Sequence, residues 1–207
     1  MVFRFNIEKT IQAIAAFLHF HGSREMSYLR LLKLLYLADR ESLRDTGRPI
    51  TGDRVVAMEH GPVLSSTYDL IKGEHTGWPM WSAYLGKKGY RVELLKDPGN
   101  GALSKYEIGK LREITERFAD QNEWDLVEFV HGLDEWKKND PGKSSKPIPL
   151  KDILDAIGRG DDEQAILEDA GNQAAFDRLF AEAAGRTRET RSESLNRGRR
   201  WIHTFGS

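Results

Sequence analysis

Residues 26–45, MSYLRLLKLLYLADRESLRD, decide the fold. Wound as a helix at about 100° per residue, they put Tyr28, Leu32, Leu35 and Leu43 at the centre of one face, with Leu31, Leu34 and Ala38 on its flank. Arg30, Lys33 and Arg40 share a narrow stripe on the other side. A helix that is apolar over most of its circumference belongs in the middle of a bundle. Thr46-Gly47-Arg48-Pro49 ends it, glycine and proline both being helix stops.

On the N-terminal side, Ile7, Ile11, Ile14 and Leu18 recur at helical spacing over residues 7–20, and Gly22 is available to end that helix. On the C-terminal side, RVVAME (54–59) reads as a short strand. Gly61-Pro62 then reads as the start of a helix, with proline at its favoured first position and Leu64, Tyr68 and Ile71 as the inner stripe. Residues 74–102 are rich in glycine, proline and aromatics. Within them Tyr90–Leu94 alternates like a half-buried strand, the natural partner of 54–59. Ser104 and Glu107 form a capping box ahead of Ile108, Leu111, Ile114 and Phe118. Asn122 caps another helix carrying Trp124, Val127 and Val130, a loop follows through Pro149, and residues 150–157 and about 162–184 read as two more helices. The expected fold class is mainly α: a bundle of about seven helices with one two-stranded β-hairpin. The expected organisation is a helical domain over 1–160, an acidic helix over 161–185 and a basic tail over 186–207.

Composition narrows the function. The chain of 207 residues has no cysteine, which removes disulfides, thiolate metal sites and cysteine nucleophiles. No apolar run approaches the roughly 18–20 residues of a membrane span. The start, MVFRFNIEKT, lacks the basic and apolar regions of a secretion signal, so the cytoplasm is the expected location and no membrane partner is expected. Net charge is −1 but uneven: six arginines and two glutamates from Arg186 onward make the tail +4 and leave −5 on residues 1–185. An acidic body suits a basic protein partner better than nucleic acid. The arginine tail is either a solubilising extension or an arm for nucleic acid or a partner, and nucleic-acid affinity through it would fall steeply with salt.

Three segments in order carry a family resemblance: KLLYLADRESLRDTGRPI (33–50), VVAMEHGPVLSSTYDLIKG (55–73) and LSKYEIGKLREITERFADQNEWDLVEFVHGLDEWKK (103–138). The matching positions are Lys33, Leu34, Tyr36, Pro49, Gly61, Pro62, Val63, Tyr68, Ser104, His131 and Trp136. Together they resemble the Panacea domain of SocA-like and phage-associated proteins. The resemblance implies a bacterial antitoxin that neutralises a cognate toxin by binding it, toxins related to alarmone synthetases being common partners. No cofactor is expected. Some members add a helix-turn-helix for DNA, and no such extra motif stands out here. The region after residue 160 departs from the pattern. The oligomeric state is left open, a homo-oligomer included.

Few residues suggest chemistry. Asp39 falls in the middle of the apolar face, where a carboxylate needs a partner. It reads either as a general base with a raised pKa or as a structural link, with His131 and His60 as candidate partners in a polar core. His19 and His21 point apart on a helix, and no metal-ligand spacing occurs, so no metal is expected. Ser65-Ser66-Thr67 lacks the context of a nucleophile and reads as capping hydroxyls. Gly99-Asn100-Gly101 lacks the Lys-Ser/Thr of a phosphate loop. No catalytic residue is assigned and no enzyme is expected. The expected toxin-binding set is His60, Gly61, Pro62, Tyr68 and Lys72, with Trp78 and Trp81 in the irregular stretch either folding back or meeting a partner. Two other functions stay open: an adaptor that delivers the toxin to a protease, and an enzyme acting through Asp39 and a histidine to reverse the toxin's effect.

Overall fold

In the computed structural model, residues 3–180 are described, and they divide at Ile166/Leu167 into two compact units. In the first unit, helix α1 (Ile7–Phe20) starts where the Asn6 side chain accepts the Lys9 N–H. Strand β1 (Glu25–Ser27) leads directly into helix α2 (Tyr28–Thr46). Gly47, at φ 76°, closes α2 by donating its N–H to the Leu43 carbonyl. Helix α2 lies among α1, α3 (Ser65–Lys72), α5 (Lys105–Arg117), α6 (Glu123–His131) and α8 (Leu150–Ala156). Its polar stripe is covered as well: Arg30 and Lys33 are buried, Arg30 donating to the Phe118 carbonyl.

Two three-stranded antiparallel sheets flank the helices, where one hairpin is expected. Strand β2 (Val55–Met58) pairs with β3 (Gly61–Leu64) across the two-residue turn Glu59-His60, and on its other side with β6 (Lys146–Pro147). Strand β5 (Arg91–Leu94) pairs with β1 and with β4 (Leu85–Lys88), so the expected pairing of 54–59 with 90–94 does not occur. The correction at Gly61-Pro62 has the same origin. Proline is tolerated on an edge strand because no ladder partner needs its missing N–H. Pro62 lies on that edge, and α3 begins only at Ser65. There Asp53 supplies the cap, accepting the N–H groups of Ser66 and Thr67 and the Thr67 hydroxyl. The expected capping by the Ser65, Ser66 and Thr67 hydroxyls is thus replaced by the Asp53 carboxylate, to which the Thr67 hydroxyl donates.

The Ser104–Glu107 capping box of α5 and the Asn122 cap of α6 are present as expected. Nine helices occur among the described residues. The extra two, α4 (Trp78–Ser82) and α7 (Asp134–Lys138), have five residues each, too short to show a period of 3.6. A ninth helix, α9, runs over residues 163–180. The second unit begins within α9. Its described part, 167–180, leaves Phe176, Leu179 and Phe180 exposed. The end of the expected acidic helix and the basic tail over 186–207 lie outside the described residues. Among the described residues, no helix is long and apolar enough to cross a membrane.

Candidate functional site

A cavity of about 470 Å³ opens in the first unit between the start of α2, the β2–β3 hairpin and the start of α6. Tyr28 and Leu32 of α2 and Met58 and Val63 of the hairpin form its apolar wall. Tyr68 of α3 and Tyr90 of the β4–β5 turn complete an aromatic rim around Tyr28, with centroid separations of 6.4 and 6.0 Å from its ring. Across the opening, the His60 ring stands edge-on to Trp124 at 5.4 Å. His60 stands in the hairpin turn itself, and the Asn122 side chain fixes the start of α6 by accepting the Trp124 N–H. Trp124 is 58% exposed and Tyr90 79% exposed, an unusual placement for such large rings unless they meet something.

Lys33 lines the floor of the cavity. Its Nζ donates to the Pro62 carbonyl at 2.9 Å, and no part of the side chain reaches solvent. Burial lowers its pKa to about 7. Gly61 makes room for it, because a Cβ there would stand 3.3 Å from Nζ and 2.5 Å from Val130 Cγ2. Beside it, the His131 imidazole stacks on Trp136 at 4.0 Å, and its Nε2 is buried without a hydrogen-bond partner. Burial, and then the charge of Lys33, lowers the His131 pKa.

The expected polar core is arranged differently. Asp39 is bound by neither His131 nor His60. Its carboxylate accepts the N–H of Thr51 at 2.9 Å and the Thr51 hydroxyl, tying α2 to the loop that follows it. A histidine would have compensated the carboxylate's charge with a protonated imidazole; instead the loop after α2 folds straight back and supplies two hydrogen-bond donors. Burial raises the Asp39 pKa to about 7. Asp39 does not line the cavity. The larger buried polar group was not foreseen: Glu135 of α7, fully buried, accepts the Tyr36 hydroxyl and the Arg40 Nε, each at 2.6 Å. Tyr36 and Arg40 are four apart on α2 and so share a face, the one hint the sequence offered; Glu135 looks like an ordinary acid in a helix's first turn.

The titration of Asp39 has a testable sign. The folded value of about 7 lies above the ordinary value of 3.8, so between them the folded chain holds a proton that the unfolded chain has released. The contribution of Asp39 to stability is therefore present below pH 3.8 and is lost as pH rises through 7. Asp39→Asn keeps an acceptor for Thr51 but cannot titrate. The variant is expected to lose this part of the pH dependence, compared by urea unfolding at about pH 5 and about pH 8. An unchanged difference between the two pH values would show that Asp39 is not the titrating group.

Of the residues expected at a partner surface, His60 and Tyr68 line the cavity. Gly61 and Pro62 are buried beneath it and act through Lys33. Lys72 sits over the Tyr68 ring at 4.9 Å, ion-paired with Glu74 and Asp69. Trp78 is 45% exposed on α4 and does not line the cavity. Trp81 is 1% exposed and belongs to the core, because α4 turns it inward against α1, so the expectation of a partner contact fails for it. Among the described residues, no three His, Asp or Glu side chains gather as a metal site.

No curated protein and no solved structure matches the chain. A family model described as antitoxin SocA-like, Panacea domain, matches residues 31–137. That span exceeds half the chain and holds Lys33, the β2–β3 hairpin, Tyr68, Tyr90, Trp124 and Glu135. The cavity is thus built mainly from the matched segment, and the chain belongs to the SocA-like antitoxin family defined by the Panacea domain.

Proposed function

We propose that this chain neutralises a cognate toxin by binding it directly, with the cavity between α2, the β2–β3 hairpin and α6 at the contact. One observation carries the reading: the segment matched by the antitoxin family is the segment that presents exposed Trp124 and Tyr90 around a concave apolar site. Interfaces draw most of their free energy from a few aromatic and arginine anchors set in such pockets. The buried carboxylates engage Thr51, or Tyr36 and Arg40, which supports binding rather than catalysis as the activity.

Co-expression with the product of the adjacent gene tests this, scored by growth and by co-purification. The neighbour is expected to arrest growth alone, to be harmless with this chain, and to elute with it as one complex. Replacing both Trp124 and Tyr90 with alanine is expected to abolish co-elution, since a hot-spot aromatic contributes about 2 kcal/mol or more. Both rings are exposed, so folding should change little. Full protection and co-elution by the double variant would move the contact elsewhere. Protection without a stable complex, lost in a protease-deficient host, would replace blocking with delivery to a protease.

A further inference from the structure

The cavity has a definite electrostatic character, and this deepens the binding reading on which it rests. Glu59 of the hairpin turn and Glu123 at the start of α6 both line it, and among the described residues neither carboxylate has an ion-pair partner. The rings beside them favour cations through their negative faces. The chain itself uses two of them so: Lys72 stands over Tyr68 at 4.9 Å and Lys87 over Tyr28 at 5.8 Å. Trp124, the ring type that binds cations best, is 58% exposed and holds no cation of the described chain. Five cations oppose this character: Lys72 and Lys87 over the tyrosine rings, Arg30, whose charge acts on Glu123, and the lining residues Lys33 and Lys143. Lys33 lines the floor with its ammonium directed to the Pro62 carbonyl, and burial lowers its pKa to about 7. Lys143 lies on the exposed rim, where water screens its charge.

We propose that this cavity receives a basic side chain, arginine or lysine, carried by a surface segment of the protein partner and held against Trp124, Glu59 and Glu123. A cation in an aromatic and carboxylate setting gains from both groups. An acidic side chain there would meet two unpaired carboxylates and be repelled.

The test uses the full chain and two blocked tripeptides, acetyl-Gly-Arg-Gly-amide and acetyl-Gly-Glu-Gly-amide. Both are titrated while the Trp124 indole N–H is followed by NMR. The arginine peptide is expected to shift that signal saturably in the millimolar range and the glutamate peptide to leave it in place. The variant carrying both Glu59→Gln and Glu123→Gln is expected to bind the arginine peptide at least about tenfold more weakly. An equal shift with the glutamate peptide would overturn the proposal. So would unchanged affinity in the double variant, or no Trp124 shift with the arginine peptide. Because no toxin takes part, these outcomes are independent of whether the adjacent product proves toxic.

Discussion

Glu135→Ala is expected to destabilise the first unit by about 3–5 kcal/mol, the cost of breaking a buried ion pair by removing one member. Glu135 is fully buried, and two groups of α2 depend on it. The Tyr36 hydroxyl would lose its acceptor in a site with 1% exposure. The Arg40 guanidinium, largely buried, would keep its charge without a counter-charge. Burial followed by the Glu135 charge holds the Tyr36 pKa well above its ordinary value, so the phenol stays a donor at any working pH. Glu135→Gln retains an acceptor for Tyr36 and should fall between the parent and the alanine variant. Urea unfolding measures all three. A cost below about 1 kcal/mol for Glu135→Ala would mean that the pair is no stronger than an exposed salt bridge.

Gly61→Ala should cost about 3 kcal/mol or more, from two sources that add at one atom. The backbone there has φ 96°, which side chains with a Cβ rarely adopt. The new methyl would also stand 2.5 Å from Val130 Cγ2, so β3 and α6 must part. Parting them draws the Pro62 carbonyl away from Lys33, leaving a buried ammonium without its acceptor. The variant is therefore expected to lose both stability and peptide binding at the cavity, read by urea unfolding and by the Trp124 signal. Gly101→Ala is the control. Nothing lies within 4 Å of a Cβ at Gly101, and its cost should stay within about 0.5 kcal/mol. If Gly61→Ala resembled the control, the close packing of the hairpin on α6 would be refuted.

The helices that position the cavity were legible because their signals are local. The apolar repeat of α2, the Ser104–Glu107 box and the Asn122 cap each lie within one or two turns of chain. So was half of the candidate site: His60 and Tyr68 stood out beside the Gly-Pro pair. Trp124 was visible as an aromatic of α6, but whether it faced the core or solvent was not. The periodicity of a helix says which residues share a face; what covers that face is set by other elements.

The sequence by itself determined a mainly helical chain without cysteine chemistry, with α2 as its central helix and the ordered segments of the antitoxin family. Those properties depend on composition and on spacings short enough to be read along the chain. The tertiary structure alone decided strand pairing, the edge-strand role of Pro62, the Tyr36–Glu135–Arg40 group and the meeting of Trp124 with His60. Each joins residues from different elements, some about a hundred positions apart. Whether such groups meet depends on the packing of the whole chain, because a buried carboxylate or an exposed tryptophan looks the same in sequence as its opposite.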